Sequence, residues 1–327
     1  MMIEDLRAIA MLDWLENDLL LMINHCELAS SDASFRRYFR VKTPDGTFII
    51  MDAPPEKEQL EPFIRVAALM ANAQLHVPVI FQQNLVDGFL LLEDLGSQCV
   101  LDIINSQTVD NLYQRAFDSL FNLQTQTNLV NSNLPRYDEA LLQRELGIFE
   151  EWFLEQNLDI EIPATLWQAV RTVLINSALE QPITCVHRDY HSRNLMVLDN
   201  NGLGVIDFQD AVIGPITYDL VSLVRDCYID WNAEQVEQWM TAYYHRLLAA
   251  ELISCELAQF KRWFDLMGMQ RHLKAIGIFS RLNFRDNKPD YLNDIPRTLN
   301  YVITQATAYP ELAEFSAFLN NTVLPAL

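Results

Sequence analysis

A β-hairpin flanked by polar residues is predicted within residues 186–211, which read VHRDYHSRNLMVLDNNGLGVIDFQDA. Residues 194–198 and 203–208 have the apolar composition of strands, and the DNNG between them is a turn sequence. Asp189, Asn194 and Asp207 stand close to or inside these apolar segments, where burying a polar group without a partner is costly. The hairpin therefore predicts either a buried polar network or a site with chemistry.

The register of this hairpin places two polar side chains together. If residue 198 pairs with 203, Asn194 lies opposite Asp207, with their Cβ atoms ~5 Å apart. One oxygen from each could then bind a hard cation. Mg²⁺ fits, because it takes few protein oxygens and keeps positions for water and phosphate. Asp189 lies on a short loop at the same end of the hairpin, so the arrangement favours phosphoryl transfer, which needs a metal and a carboxylate that orients a hydroxyl.

The sequence pattern changes near residues 95–97, which read LGS. Before this point it predicts a helix, a hairpin, a helix and a second hairpin, at 3–22, 34–51, 57–74 and 78–94. After it the pattern is helical, interrupted only by the hairpin at 194–208, with helices at 110–128, 137–157, 163–179, 217–229, 233–251 and 256–283. We therefore expect an α+β fold with a small β-rich N-lobe (1–95), a large helical C-lobe (96–327) and a cleft between them.

Composition excludes several classes of partner. The chain has 327 residues and a net charge of −21, which disfavours binding to nucleic acid or to anionic membranes. No apolar segment approaches the ~18 residues of a membrane span, and the N-terminus lacks the basic start of a signal peptide. The five cysteines are scattered, so disulfides and zinc sites are not expected. We expect a cytoplasmic protein and infer no obligate protein partner.

The spacing His187-x-Asp189-x4-Asn194, followed by an aspartate at a strand end, matches the catalytic-loop and metal-binding pattern of the kinase fold. The chain resembles the aminoglycoside phosphotransferase and choline kinase superfamily over nearly its whole length. The resemblance implies a two-lobed protein-kinase-like fold with ATP and Mg²⁺ as cofactors. It implies that Asp189 is the catalytic base and that Asn194 and Asp207 bind the metal. His187 would brace the catalytic loop, and Asp219 would hold that loop from the following helix.

The segment after the hairpin indicates the class of acceptor. Ten positions separate Asp207 from Thr217, where the next helix is predicted to begin. This leaves no room for the long segment on which protein kinases dock peptides, so a small-molecule acceptor is favoured. Arg188 then lacks the phosphorylated-loop partner that it would have in a protein kinase, and we expect a local salt bridge instead.

The N-lobe departs from the usual kinase pattern where ATP phosphates bind. The predicted phosphate loop contains no glycine, and Met51 stands where a lysine is usual in the third strand. Either this lobe does not bind ATP, or serine hydroxyls, backbone N–H groups and other cations serve. The candidates are Ser31, Ser34, Arg36, Arg37, Lys42 and Lys57. Because Arg36 and Arg37 are adjacent on a strand, at most one should point inward; the alternative is two exposed arginines.

Further segments narrow the resemblance. SDASFRRYFRV, MDAPPEKE, FLLLEDLG, DYHSRNLM and MQRHLKAIGIFSRLNFRDNKPDYLNDIPR are together similar to the bacterial anomeric kinases of cell-wall amino sugars, which share the lysine-free third strand. The resemblance implies an alcohol-group phosphotransferase that phosphorylates C1 of N-acetylmuramate or N-acetylglucosamine during peptidoglycan recycling. The hinge would bind adenine through backbone groups near Glu93 and Leu95.

A basic stripe runs along the predicted helix 256–283, whose almost wholly apolar surface indicates burial. Arg271, Lys274, Arg281 and Arg285 fall within roughly a quarter of the helical wheel. Buried cations need anionic partners. These partners are either the protein's own carboxylates or the lactyl carboxylate of an acceptor, which an arginine fork would bind. The candidate acceptor-binding residues are Arg225, Asp226, Gln270, Arg271, His272, Lys274 and Arg281.

Two other functions stay open from the sequence. One is a kinase for another small hydroxyl acceptor, such as choline or an aminoglycoside. Polycationic acceptors of that kind would favour an acidic pocket, which the basic stripe opposes. The other is a non-catalytic nucleotide-binding pseudokinase, indicated by the missing lysine and glycines. The intact Asp189, Asn194 and Asp207 argue against it.

Overall fold

A computed structural model describes residues 5–31 and 35–327, with Ser31 described for its backbone alone. The chain divides into two compact units. The first comprises the chain up to Gln98 together with Met196–Gln209, and the second comprises Cys99–Leu195 and Asp210–Leu327. The predicted division at residues 95 and 96, with a nucleotide-covering lobe and an acceptor lobe, stays a prediction.

The first unit is built on a five-stranded antiparallel sheet. Its spatial order is β1-β2-β3-β5-β4, formed by β1 (His25–Ser31), β2 (Arg37–Thr43), β3 (Gly46–Asp52), β4 (Ile80–Asn84) and β5 (Phe89–Glu93). The two predicted hairpins are confirmed. Strand β1 was not predicted, because its sequence HCELASS contains no β-branched residue and gives a weak strand signal.

Two helices accompany this sheet, α1 (Leu6–Asp13), which continues with a widened turn to Asp18, and α2 (Leu60–Asn72). The first helical segment packs on the sheet through a shared apolar core. That core contains Met11, Trp14, Leu15, Phe39, Val41, Ile50, Phe89 and Leu91. Gly88 allows the turn before β5, because its φ is +81° and a Cβ there would lie 2.0 Å from the carbonyl oxygen of Ala53.

The short hairpin of β7 (Leu195–Val197) and β8 (Leu203–Val205) contributes to the first unit although it is remote in sequence. The Val205 N–H donates to the carbonyl of His76 at 2.8 Å, and the Val197 N–H donates to Gln98 at 2.9 Å. Phe208, just beyond β8, packs against Phe63 of α2 with ring centroids 4.9 Å apart. These contacts explain why residues 196–209 belong to the first unit.

The second unit is mainly helical. Its helices are α3 (Val100–Ile103), α4 (Val109–Gln126), α5 (Glu139–Ile148, continuing to Asn157), α6 (Ala164–Leu179), α7 (Tyr218–Val224), α8 (Ala233–Ala249), α9 (Leu257–Asp286), α10 (Ile295–Ala308) and α11 (Ala313–Phe318). Helix α9 is the predicted buried helix, and it packs against α5, α6, α7, α8 and α10. Gly277 permits the close crossing of α5, since a Cβ there would lie 2.5 Å from the backbone of Ile148.

Two differences from the predicted pattern bear on the site. Strands β6 (Ile183–Val186) and β9 (Val212–Pro215) pair antiparallel and flank the hairpin, in a region predicted to be helical apart from that hairpin. Helix α7 ends at Val224 rather than near residue 229, because the Asp226 carboxylate accepts the N–H of Tyr228 at 3.0 Å outside the helix. In the described ranges, 5–31 and 35–327, no helix is both long and apolar enough to cross a membrane.

Candidate active site

The loop between β6 and β7 is held in place by two buried carboxylates. Asp219, in the first turn of α7, accepts the backbone N–H of His187 at 2.7 Å and that of Arg188 at 3.0 Å. Asp226 accepts both the N–H of Ser192, at 2.9 Å, and its hydroxyl, at 2.6 Å. Both ends of the loop that carries Asp189 are therefore fixed from the segment that follows β9.

Burial of Asp219 affects its protonation. Burial raises the pKa of this carboxyl to about 7, although the two backbone N–H groups that it accepts lower it. The imidazole of His187 is fully buried and meets the ring of Tyr190 edge-on at 5.7 Å. Asp219 and His187 thus lie where they can fix the shape of the loop that carries Asp189.

Asp189 is half-buried on this loop and carries a negative charge at neutral pH. Burial acts to raise its pKa, but the positive charges of Lys274, Arg188 and Arg271 outweigh burial and lower the pKa to about 2. Its own backbone carbonyl accepts the side-chain amide N–H of Asn194 at 2.9 Å. The carboxylate thus stands ionised beside a concentration of cations.

The backbone is strained at two residues of the predicted motif. Arg188 has a φ of 78° and Asp207 a φ of 63°, values that residues with side chains rarely adopt. Within the first unit, the Asp207 carboxylate accepts an N–H of Gln209 at 2.9 Å. Because Asn194 and Asp207 belong to different units, their pairing around a cation stays a prediction.

A pocket of about 90 Å³ opens beside Asp189 in the second unit, with room for several water molecules or the polar groups of a small acceptor. It is lined by Asp189, His191, Tyr218, Cys227, Tyr228, Arg271, Lys274, Ala275, Ile278 and Phe279. The pocket thus brings Asp189 together with Arg271 and Lys274, two cations of the predicted basic stripe.

Sequence analysis did not identify several of these lining residues. His191 is buried, and its Nδ1 has no hydrogen-bond partner. Burial lowers the pKa of this imidazole, although Asp226 and Asp189 act to raise it, so the ring is neutral at physiological pH. Its position two residues after Asp189 was a usable signal, whereas Tyr218 and Phe279 are brought to the pocket only by the packing of α7 and α9.

Glu145 of α5 balances much of the positive charge around the pocket. Its carboxylate pairs with Arg188 and with Lys274, the latter at 3.4 Å. It also accepts hydrogen bonds from the hydroxyl of Tyr137 and from the amide of Gln270, the latter at 3.1 Å. The local salt bridge expected for Arg188 is therefore present, and Lys274 pairs with one of the protein's own carboxylates.

Arg271 differs from these cations. It is 5% exposed, and among the residues that the structure describes no carboxylate lies within 4.0 Å of its guanidinium. Its Nη1 donates to the sulfur of Cys227 at 3.3 Å. Burial acts to lower the pKa of Arg271, but neighbouring groups, first Cys227 and Tyr218, raise it, so the side chain stays charged. Arg271 is thus a buried, pocket-lining cation without a salt bridge in the described residues, although Asp226 and Asp189 lie close enough to favour its charge.

Other predicted acceptor-binding residues have structural contacts instead. Arg225 pairs with Asp265 at 2.7 Å, and Asp226 is fully buried against Ser192 as described above. Neither Arg225 nor Asp226 lines the pocket, because both side chains are used in holding the loop or α9.

The remaining candidates on α9 also lie outside the pocket lining. The amide of Gln270 is fully buried against Glu145. The Nε2–H of His272 donates to the backbone carbonyl of Arg225 at 2.8 Å, and the ring stacks on Tyr301. Burial lowers the pKa of His272 to about 3. Arg281 is half-buried, more than two turns along α9 from Arg271.

Two of the candidate phosphate-binding cations in the first unit are ion-paired. Arg36 pairs with Glu58 at 3.1 Å, and Arg37 pairs with Asp52 at 2.5 Å and with Asp5. Both arginines are half-buried, so the alternative of two exposed strand arginines is not observed.

The other nucleotide-binding candidates are more open or lie beyond what is described. Lys42 is exposed, and Lys57 is exposed with its ammonium 4.4 Å from the centre of the Phe35 ring. Ser34 and the Ser31 side chain fall outside the described parts of the chain. In the predicted hinge, the Glu93 N–H donates to the carbonyl of Val79 at 2.9 Å, and the buried Leu95 side chain follows two residues later.

Sequence comparison identifies the family. The pattern of the phosphotransferase enzyme family matches residues 25–252. The chain belongs to this family. An N-acetylmuramate/N-acetylglucosamine kinase of Pseudomonas putida is 47% identical over 295 residues, which cover 89% of this chain and 86% of that protein. A protein of the same name from Neisseria meningitidis is 40% identical, covering 90% of each chain.

Structural comparison agrees at the level of the fold. A choline kinase from Streptococcus pneumoniae has a TM-score of 0.65 at 13% identity, covering 91% of this chain and 99% of that one. An ADP-bound aminoglycoside phosphotransferase has a TM-score of 0.61 at 13% identity, covering 91% and 97%. The predicted kinase-like fold is confirmed. With the family match, the predicted membership of the aminoglycoside phosphotransferase and choline kinase superfamily is confirmed as well.

Proposed function

We propose that this chain is an ATP-dependent kinase that phosphorylates the anomeric hydroxyl of N-acetylmuramate and N-acetylglucosamine. The relatives of that name, at 40% to 47% identity over about nine-tenths of the chain, support this acceptor class. The observation that carries the proposal is the pocket in which Asp189 stands with Arg271, a buried cation that forms no salt bridge with a carboxylate of the described residues.

In the proposed reaction, the Asp189 carboxylate accepts a hydrogen bond from the acceptor hydroxyl. The hydroxyl oxygen forms a bond to the γ-phosphorus of ATP while the bond from that phosphorus to the β,γ-bridging oxygen breaks. ADP leaves, and the hydroxyl proton passes to the Asp189 carboxylate and then to solvent. The products are a sugar phosphate, ADP and a proton.

The ionised state of Asp189 fits a particular acceptor. A carboxylate is a weak base, so it orients the hydroxyl and takes the proton late, as the phosphoryl group arrives. The anomeric hydroxyl is the most acidic hydroxyl of a free sugar, so it needs the least assistance. This favours C1 over the other hydroxyls as the site of transfer.

Arg271 would recognise N-acetylmuramate through its lactyl carboxylate. A guanidinium matches a carboxylate with two parallel hydrogen bonds, and burial strengthens such a pair because little water screens it. N-acetylglucosamine lacks this carboxylate and would depend on the sugar contacts that both acceptors share. Tyr228 and Phe279, whose rings lie 6.2 Å apart, offer an apolar wall for the sugar.

The donor set of Asn194 and Asp207 fits Mg²⁺, since it supplies one amide and one carboxylate oxygen from the predicted metal-binding motif. The side-chain nitrogen of Asn194 donates to the backbone carbonyl of Asp189, and its amide oxygen is the atom with the chemistry to ligate a cation. When bound with ATP, the ion would neutralise charge on the phosphates. In the described ranges, no group of three or more acidic, histidine or cysteine side chains is arranged to hold a metal ion.

The nucleotide would be held in the first unit by the backbone of the 93–95 hinge, with Lys42 and Lys57 as the exposed cations nearest the predicted phosphate loop in sequence. ADP is bound by the aminoglycoside phosphotransferase of similar fold, which supports ATP as the donor. We place the protein in the cytoplasm, in amino-sugar recycling.

A screen of acceptors tests the proposal. Purified protein is incubated with Mg·ATP and, in separate reactions, with N-acetylmuramate, N-acetylglucosamine, choline or an aminoglycoside, and ADP release is measured. We expect turnover with the two amino sugars. Turnover with choline or an aminoglycoside alone would favour the other kinase class, and ATP binding without any turnover would favour the pseudokinase.

A further inference from the structure

Cys227 holds Arg271 at the wall of the pocket. The Nη1 of Arg271 donates to the Cys227 sulfur at 3.3 Å, and both side chains are almost fully buried, Cys227 at 2% and Arg271 at 5% exposure. Cys227 lies just beyond α7, in the turn that the Asp226 carboxylate holds, and Arg271 lies on α9. The contact therefore joins the loop-anchoring segment to the helix that supplies the pocket's cations.

The other buried cations nearby are held differently. Lys274 and Arg188 both pair with Glu145, and Arg225 pairs with Asp265 at 2.7 Å. Each of these cations is in a salt bridge with a carboxylate of the protein, although Lys274 and Arg188 share the one carboxylate of Glu145. Arg271 is oriented by sulfur instead.

A thiol and a carboxylate would affect the charge of Arg271 differently. Burial raises the pKa of Cys227 above its usual value, although Arg271 acts to lower it, so the thiol is neutral at physiological pH. A neutral sulfur accepts one N–H weakly, whereas a carboxylate would form a charge-assisted pair and cancel the guanidinium's charge. Sulfur thus fixes the direction of the arginine fork and leaves its charge for a ligand.

We propose that Cys227 is a positioning residue that sets the preference for an anionic over a neutral amino sugar. It aims the Arg271 guanidinium into the pocket without neutralising it, so that a carboxylate on the acceptor completes the ion pair. This inference rests on the proposed function, because the two amino sugars differ in that carboxylate.

Three substitutions of Cys227 test the inference. The measured quantity is the ratio of KM for N-acetylmuramate to KM for N-acetylglucosamine. Cys227→Ala removes the acceptor and should raise the ratio roughly fivefold, the scale of one neutral hydrogen bond, through KM rather than kcat. Cys227→Ser restores an acceptor and should return the ratio towards that of the wild type. Cys227→Asp should raise the ratio most, by at least ~10-fold, because its carboxylate pairs with Arg271 in place of the acceptor's.

Cys185 provides the matched control. It is also a fully buried, unpaired cysteine of the second unit, but it lies on β6 and does not line the pocket. Cys185→Ala should therefore leave the KM ratio unchanged, whatever it does to stability. Thermal unfolding of every variant identifies those that do not fold. If Cys227→Asp is one of them, the comparison of Cys227→Ala with Cys227→Ser decides the question.

The outcomes separate this inference from the proposed function. An unchanged ratio in folded Cys227→Ala, or a loss of kcat shared by both sugars, would overturn the role of Cys227 while leaving the proposed function in place. A wild-type protein that phosphorylates neither sugar would overturn the proposed function first, and the inference with it.

Discussion

Replacing Arg271 with methionine should raise KM for N-acetylmuramate far more than KM for N-acetylglucosamine. The buried guanidinium forms no salt bridge within 4.0 Å in the described residues, so the acceptor's carboxylate would be its closest anionic partner. A hydrogen bond to a charged group contributes about 1.5–3 kcal/mol, which corresponds to roughly a 10- to 150-fold change in affinity. We therefore expect KM for N-acetylmuramate to rise by about that factor, and KM for N-acetylglucosamine by less than about threefold.

The Arg271→Met variant should also fold. Methionine keeps the unbranched stem of the side chain, and its introduction orphans no carboxylate, since the lost hydrogen bond is to the Cys227 thiol. Removing Arg225 would differ, because it would leave the carboxylate of Asp265 buried without its 2.7 Å partner. Arg281→Met is the matched control, since Arg281 lies on the same helix but not in the pocket lining.

The assay is ADP release at saturating Mg·ATP, with each sugar titrated separately against wild type and both variants. The expected result is a change in the ratio of the two KM values in Arg271→Met and no comparable change in Arg281→Met. Equal losses on both sugars, or a larger effect at Arg281, would refute the assignment of Arg271 to the acceptor carboxylate.

The remaining predictions concern the loop and the metal. Asp189→Asn should retain the fold and ATP affinity but lower kcat by at least ~10²-fold, the scale of a lost general base, as measured by ADP release. Calorimetry should show that Asp207→Ala abolishes Mg²⁺-dependent binding of ATP and that Asn194→Ala weakens it, because both are proposed to hold one ion. Because the pKa of Asp219 is raised to about 7 in the folded chain, the folded state binds more protons than the unfolded state between pH ~4 and 7. Stability should therefore fall as pH rises through this window by roughly 4 kcal/mol at most, relative to Asp219→Asn, in urea unfolding at each pH.

Each of these predictions has a result that contradicts it. Undiminished turnover in a folded Asp189→Asn protein would remove Asp189 from the mechanism. Unaltered Mg²⁺ dependence in both metal-ligand variants would show that the hairpin register was misinterpreted. A stability difference between wild type and Asp219→Asn that is constant from pH 4 to 7 would mean that the two backbone N–H groups keep Asp219 ionised despite its burial.

Local sequence signals were sufficient to predict the hairpin and the short loop that carries Asp189. The DNNG turn fixes the hairpin, and the spacing from His187 to Asn194 places Asp189 on a short loop before it. Helix α9 was also predictable, because its apolar character extends around the whole helix and only a buried helix tolerates that. The hairpin with its loop and helix α9 could both be predicted because each depends on a pattern within a few tens of consecutive residues.

The charge balance of the pocket could not be predicted in this way. Glu145 lies 43 residues before Arg188 and 129 before Lys274. The packing of α5 against α9 brings Glu145 to Lys274, and the loop after β6 brings Arg188 to the same carboxylate. A pair in the first unit was equally hidden from the sequence, because its members are 54 residues apart. There Arg40 of β2 donates two hydrogen bonds to the Asp94 carboxylate, at 2.7 and 2.9 Å. Helical-wheel analysis placed the cations on one stripe but could not assign their anionic partners.

The central claim is that the phosphoryl group is transferred to the anomeric oxygen of an amino sugar, and the most direct test is phosphorus NMR of the product formed from N-acetylmuramate and Mg·ATP. The proposed function predicts a sugar 1-phosphate, seen as a phosphorus resonance coupled to the anomeric proton and lost on mild acid treatment. An acid-stable 6-phosphate, or ATP consumption that yields only inorganic phosphate, would contradict it.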